Sequence, residues 1–392
     1  MKNDKLHILI IPSWYPEFEG DYIGSFFREQ ALGISRQNCK VGIIYPELKS
    51  LRSLKFRFIP RLVRYDDMGL ITYKILWSNW FVKLQSLQII AFKYLGFFLF
   101  KRYIKKNGVP DIIHCQSIFN SGFLGEYIFD KYKIPYIITE HNSGFYHKDQ
   151  MVDFEKFYKQ TVEIINKSQK CFSVSNFYSK YLDNLLRVNQ NWDVHHNIVD
   201  NSFLNTEIKF PNTKNFIFLC VSRLHKIKNI DLIIESFKKF NIKYPNSELR
   251  IVGVGSELQN LKNLTKEIQI NKKVKFLGKK SRSDIINEYN SCNSFIYASS
   301  FETFGVIFVE AMALGRPIIS LNCGSSDEII SEKTGIIVKN KKSEDMSSAM
   351  ITLYQNYSSY NPNKIREYCK SLFSEKKLSL KMISHYQNVL NQ

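Results

Sequence analysis

Long apolar runs are scarce in this chain. The most apolar stretch, Leu87 to Phe100, falls short of the roughly 20 residues a membrane-spanning helix needs and carries Lys93, so no spanning segment is expected. The start, MKNDKLHILIIP, places only the short run Leu6 to Pro12 behind a basic end and closes on proline, which reads as a strand and not as a cleaved leader. Cysteine is sparse and odd in number: Cys39, Cys115, Cys171, Cys220, Cys292, Cys323 and Cys369 lie far apart and mostly inside apolar runs. That pattern excludes a disulfide scaffold and implies reduced core thiols in the cytosol. No Asp-x-Asp pair follows a strand, and no His/Cys cluster has metal-ligand spacing; the adjacent His195 and His196 would diverge on a strand. No metal or other cofactor is therefore expected. Acidic residues are also in deficit, 36 against 55 Lys+Arg, for a net charge of +19. The excess favours an anionic partner: nucleic acid, a phosphate-bearing substrate or an acidic leaflet. The cations are dispersed and no zinc-finger or helix-turn-helix signature occurs, so nucleic acid is not expected.

What is present is a globular composition, 44% hydrophobic and 23% charged, over 392 residues, enough for two domains of similar size. Short apolar runs alternate with longer amphipathic stretches: HILIIP, KVGIIY, DIIHC, IPYIIT and KCFSVS, then NFIFLCVS, ELRIVG, VKFLG, SFIYAS, RPIIS and GIIV. Continuous apolar strands separated by helices predict an α/β fold with parallel sheets covered on both faces, and the pattern runs twice. The polar, proline-containing stretch EIKFPNTKN marks the seam, which gives an N-terminal Rossmann-like domain over 1–205 and a second over 206–373. Leu378, Met382, Tyr386 and Val389 recur at helical spacing, so 374–392 should form a final helix packing back toward the first domain. Parallel sheets bind ligands at the carboxyl ends of their strands, so two such domains facing each other would enclose a central cleft.

The chemistry-bearing motifs all follow strands. Ser222-Arg223-Leu224-His225-Lys226-Ile227-Lys228 sets two cations, Arg223 and Lys228, at a strand-to-helix turn, where they could clamp a diphosphate. In Glu302-Thr303-Phe304-Gly305-Val306 through Glu310, Gly305 lets backbone N–H groups approach an anion at a helix start, with one carboxylate on the loop and one inside the helix. Glu310 lies in an otherwise apolar helix and needs a hydroxyl or cationic partner, such as a ribose diol. The loop Asn322-Cys323-Gly324-Ser325-Ser326-Asp327-Glu328 could add backbone contacts.

Taken together, SRLHKIKN, IVGVGSEL, VKFLG, ETFGVIFVEAMALGRP and NCGSSDEII resemble the second half of the retaining glycosyltransferases of GT-B fold that carry a two-glutamate motif, the group 1 or family 4 type. PSWYPEFEGDYIGSFFREQA, DIIHCQS, TEHNSGF, SVSNFYSKYL, HNIVD and FSEKKLSLKMISHY resemble its remaining landmarks, so the likeness covers essentially the whole chain. The resemblance implies a UDP- or GDP-sugar donor and a saccharide or lipid-linked saccharide acceptor, with cell-surface polysaccharide or glycan synthesis as the setting. It implies that Arg223 and Lys228 bind the donor diphosphate, Glu310 the ribose and Glu302 the donor sugar, with His141 at the reaction centre. Gly20 and Gly24 match the glycine-containing turn near phosphates and acceptor, although EGDYIG lacks the adjacent glycines many members have. Gly253, Phe304, Gly305 and Val306 complete the donor site. Val254 and Ile198 stand where the family often has a polar residue and a glycine. His114 in DIIHC is a packed residue or a lesser candidate.

With a diphosphate leaving group, catalysis can rest on fixed positive charge that stabilises it, and no protein nucleophile is required. The segment Lys49 to Arg64 holds six basic residues, no acidic one, and Leu51, Leu54, Phe56, Phe58 and Ile59 between them. It could rest on an anionic leaflet, the inner face of the cell membrane, or be a basic insertion between strands. Three rival functions are a sugar-nucleotide epimerase of the same architecture, an NAD-dependent dehydrogenase and a non-catalytic scaffold. The dehydrogenase fingerprint is incomplete, because Leu258 stands where it wants glycine.

Overall fold

The computed structural model describes residues 5–17, 21, 24–50, 59–79, 84–146, 154–188, 190–211 and 214–392. The chain divides into two compact units, residues 1–198 with 375–392, and residues 199–374. The second unit starts seven residues ahead of the seam read from the sequence, because Val199 to Asn205 already belongs to it. There Val199 N–H donates to the Phe373 carbonyl, Asp200 pairs with Arg282, and Phe203 stacks edge-on against Tyr289.

In the first unit, strands β1 (His7–Pro12), β2 (Lys40–Ser50), β3 (Arg61–Asp67), β4 (Leu70–Asn79), β5 (Ile112–Gln116), β6 (Tyr136–Glu140), β7 (Lys170–Ser173) and β8 (Trp192–Val194) form one sheet in the order β3-β4-β2-β1-β5-β6-β7-β8. Every residue of β1, β5 and β6 is buried, as strands covered on both faces require. The sheet is parallel except for the antiparallel β3–β4 pair at one edge. The two strands join through Met68 and Gly69, both at positive φ, the two-residue turn whose twist suits a hairpin. At the edge of the sheet the buried Asp67 accepts from Arg28 Nε at 2.9 Å and from Tyr15 OH at 2.7 Å.

The C-terminal helix, Glu375–Leu390, is part of this first unit. It buries Leu378, Met382, Tyr386 and Val389 and lies against the Ser25–Ser35 helix at Gly33, where an added Cβ would sit 2.3 Å from Ser379 Oγ. Tyr386 OH and Thr139 Oγ1 each lie 2.7 Å from a ring nitrogen of His114. Complete burial drives the His114 pKa down to about 3, so this histidine is a neutral core residue that ties the last helix to β5.

The second unit carries β9 (Phe216–Val221), β10 (Ser247–Val252), β11 (Val274–Gly278), β12 (Ser294–Tyr297), β13 (Ile318–Leu321) and β14 (Gly335–Val338), all parallel, in the order β11-β10-β9-β12-β13-β14. This is the doubly wound dinucleotide-fold order, and it reverses direction between β9 and β12. All seven cysteines are unpaired thiols, and all but Cys39 are buried.

Candidate active site

Where the order of a parallel sheet reverses, the following loops part to opposite sides and leave a crevice at the strand ends. In the second unit the loop after β9 carries Arg223 and Lys228, and the loop after β12 carries Glu302. Two close backbone approaches shape the first loop. Gly253 has φ 137°, and a Cβ there would meet Ser222 O at 1.8 Å; one on Gly255 would meet Leu224 O at 2.2 Å. Leu224 N–H donates to Val254 O at 3.0 Å and Glu257 N–H to Leu224 O at 2.9 Å, which zips the two loops together. The Arg223 side chain is exposed just after β9 and makes no hydrogen bond or ion pair among the described residues. Asn229, at φ 47°, clamps the far end of the loop, with Nδ2 donating to Ala298 O at 2.7 Å and Ser300 Oγ at 2.8 Å.

These clamps bring Lys228 and Glu302 together across 74 positions of sequence, Nζ to Oε1 2.5 Å, with both side chains less than one-fifth exposed. Tyr297, the last residue of β12, donates its hydroxyl to the same Oε1 at 2.6 Å, and its ring lies 5.6 Å from the Lys228 ammonium. Burial and the neighbouring Glu302 charge hold the Tyr297 phenol well above its ordinary pKa, so it is always a donor here. The Glu302 loop is fixed in turn by the loop after β13: Glu302 N–H donates to Cys323 O at 3.0 Å and Ser325 Oγ to Phe304 O at 2.9 Å.

The Val306–Ala313 helix follows directly. Gly305, at φ 83°, is its N-cap, and no side chain caps it, so its first backbone N–H groups remain available to an anion. Val306 is half-buried at the first helical position, while the Phe304 ring is 1% exposed and packs against Phe373; Phe304 can offer a ligand only its backbone. One turn along, the half-buried Glu310 carboxylate accepts no hydrogen bond among the described residues. Desolvation lifts its pKa to about 7, opposed by the charge of Arg282, which is itself paired with Asp200.

The remaining candidates lie in the first unit. Gly24, at φ 73°, caps the Ser25–Ser35 helix, again without a side-chain cap. Phe26 and Phe27 from that helix pack against each other, centroids 4.3 Å apart, and both against the His141 ring, at centroid distances of 5.1 and 4.9 Å. His141 Nε2 lies 2.7 Å from Gln116 Oε1, Gln116 Nε2 donates to Gln30 Oε1, and Gln30 Nε2 donates to Asn197 Oδ1. Desolvation first, and then His114, push the His141 pKa well below 6.5, so the ring is neutral. The preceding Glu140 is fully buried and accepts from the backbone N–H groups of Ile118, His141 and Asn142 at 2.6 to 2.8 Å, yet desolvation still raises its pKa to about 7. Gly20, and Leu51 through Phe58 of the basic segment, lie outside the described residues. At one end of that segment Lys49 is already paired with Glu17 and Glu47, and at the other Arg61 and Arg64 belong to the edge strand β3.

Both halves of the chain match glycosyltransferase families: residues 24–203 match the family described as Glycosyltransferase Family 4, and residues 203–371 that described as Glycosyl transferases group 1. The chain is a glycosyltransferase of the GT-B type. An uncharacterized glycosyltransferase of Methanocaldococcus jannaschii is 23% identical over 79% of this transferase and 82% of its own length. Among solved structures, sucrose-phosphate synthase from Thermosynechococcus elongatus superimposes with a TM-score of 0.75 at 18% identity, covering 98% of the transferase and 99% of that chain. HepE of Anabaena, in complex with UDP, gives 0.72 at 14% identity over 97% and 100%. The dehydrogenase and scaffold alternatives fall with this assignment.

Sequence reasoning did not single out Tyr297 or Glu140 in the transferase, nor did it pair Lys228 with Glu302. Tyr297 reads as one more apolar residue of SFIYAS, and only its place at the strand end distinguishes it. Among the described residues no group of three or more His, Cys, Asp or Glu side chains is arranged to hold a metal ion.

Proposed function

We propose that the enzyme transfers a sugar, with retention at the anomeric carbon and without a metal ion, from a UDP- or GDP-sugar to a saccharide or lipid-linked saccharide in cell-surface glycan synthesis. The observation that carries this is the second unit's switch point, where an exposed arginine and a partly buried lysine follow β9, and an uncapped helix start with an unpartnered carboxylate one turn along follows β12. The diphosphate takes Arg223, Lys228 and the N–H groups after Gly305, and the ribose hydroxyls donate to Glu310. As the bond from the anomeric carbon to the phosphate oxygen breaks, charge grows on the leaving diphosphate, and the two cations and the helix start stabilise it most at that moment. The acceptor hydroxyl oxygen bonds to the same face of the sugar, and its proton departs with the diphosphate.

For Lys228 to meet the phosphate, its pair with Glu302 has to open or be shared. Glu302, released and still held by Tyr297, is then free to accept from a hydroxyl of the donor sugar. His141 and the helix start at Gly24 are assigned to the sugar and acceptor side, His141 in its neutral form. The UDP complex of HepE supports UDP as the first nucleotide to try.

Thermal shift with UDP and GDP identifies the base, because binding to the folded state raises apparent stability by RT ln(1 + [L]/Kd). NMR of the product then reads the anomeric configuration, and an unchanged rate in EDTA is expected. No stabilisation by either nucleotide, an inverted product or a reversible loss of rate in EDTA would each overturn its part of the proposal. Product formation without any acceptor would favour an epimerase.

A further inference from the structure

The Gln85–Asn107 helix carries an outward face that the fold leaves uncovered. Its inner side, Ile89, Phe92, Gly96, Leu99, Phe100 and Tyr103, is buried. Facing away, Ile90, Tyr94 and Phe98 recur at intervals of four and are 45%, 56% and 39% exposed. The same face continues into Lys101, Arg102 and Lys105, all exposed, and the helix has no acidic residue in 23. The cations border the aromatics closely: Lys101 lies 5.3 Å from the Phe97 ring and Arg102 5.1 Å from that of Phe98, while Lys93 sits over Tyr94 and Tyr127. No helix among the described residues is long and apolar enough to cross a membrane, and this one has its opposite side committed to the core.

We propose that this face of the Gln85–Asn107 helix is a membrane-docking surface, with Ile90, Tyr94 and Phe98 entering the headgroup region of an anionic leaflet and Lys101, Arg102 and Lys105 resting on its charge. Charge complementarity selects the occupant. An exposed apolar row with a cationic end and no acid is what an interfacial helix presents to anionic lipid. Docking here would hold the enzyme beside lipid-linked acceptors. In that respect it deepens the function proposed above, but it does not depend on which donor or acceptor is used.

The test is co-sedimentation of the full chain with phosphatidylcholine vesicles containing or lacking about one-third phosphatidylglycerol, across a salt series. Binding confined to the anionic vesicles and falling with salt is expected. Lys101→Gln, Arg102→Gln and Lys105→Gln together should lower partitioning by about 100-fold, at about fivefold per near-surface cation. Ile90→Ser, Tyr94→Ser and Phe98→Ser together should weaken binding and make what remains wholly salt-dependent, while Ile242→Ser, at an exposed site of the second unit, should change nothing. Thermal melts confirm that each variant is folded. Transfer to a soluble saccharide acceptor should be unchanged in all of them, so loss of docking and loss of the enzymatic function are read separately. Equal binding to neutral vesicles would overturn the proposal, as would wild-type binding by both triple variants. A third contrary result would be loss of binding on Arg52→Gln, Lys55→Gln and Arg57→Gln while the helix variants bind normally.

Discussion

Lys228→Ala separates the structural and chemical roles of the switch-point pair. Lys228 and Glu302 are 17% and 18% exposed, so their pair lies between a surface bridge, worth about 0–1 kcal/mol, and a fully buried one, whose breakage costs about 3–5 kcal/mol. With Tyr297 still donating to Glu302, a loss of about 2 kcal/mol is expected. For a unit of this size that lowers its Tm by about 4–8 °C. Turnover should fall further, by about 10²–10³, the usual cost of removing one group that stabilises developing charge. The double variant Lys228→Ala/Glu302→Ala removes the stranded carboxylate and should melt about 2–4 °C above the single one, yet remain as inactive. Scanning calorimetry and steady-state kinetics with saturating donor measure both. Independent, additive changes in Tm from the two substitutions would show that the pair does not exist in solution. Turnover by Lys228→Ala at close to the wild-type rate would refute the role of Lys228 in stabilising the leaving group.

Tyr297→Phe keeps the ring beside Lys228 but removes the bond to Glu302. It should lower kcat by about 10-fold, the scale of one hydrogen bond to a charged group, with little change in donor KM; a purely structural tyrosine would instead alter Tm alone. Glu310→Gln should raise donor KM by about 10- to 100-fold on the same scale. Because the folded-state pKa of Glu310 is raised to about 7 from 4.5, its contribution to stability is present below about pH 4.5 and is lost as pH rises through 7. The donor-free Glu310→Gln protein should therefore gain Tm over wild type as pH rises from 5 to 8, and a constant difference would refute the assignment. Gly253→Ala places a Cβ 1.8 Å from Ser222 O at a φ of 137°, so it should lower Tm and weaken nucleotide binding together, even though Gly253 need not touch the nucleotide.

The second unit was legible strand by strand, since each of its six apolar runs became a strand, the four inner ones almost wholly buried and the two edge strands only partly. In the first unit the β3–β4 hairpin was not. β3 is an edge strand whose residues are mostly exposed, so it lacks an apolar run, and its one clear signal is the turn at Met68 and Gly69. Residue types at strand ends revealed the candidate site, but their partners stayed hidden. Lys228 reaches Glu302 only because Asn229 clamps one loop to the other and Gly253 and Gly255 let two backbones touch, which are long-range facts with no local pattern. Phe304 shows the reverse case. It sits inside the right motif, yet its ring faces the core, since an aromatic next to a helix start packs inward when an apolar partner such as Phe373 is within reach.

The proposed mechanism requires a diphosphate held by fixed positive charge and backbone N–H groups at the carboxyl ends of β9 and β12. A crystal structure of the enzyme with the nucleoside diphosphate that stabilises it tests this most directly. Lys228 Nζ and the first N–H groups after Gly305 are expected within about 3 Å of phosphate oxygens, near the usual hydrogen-bond distance, with the ribose on Glu310. A diphosphate bound elsewhere, with Lys228 still closed on Glu302 and Arg223 in solvent, would contradict it.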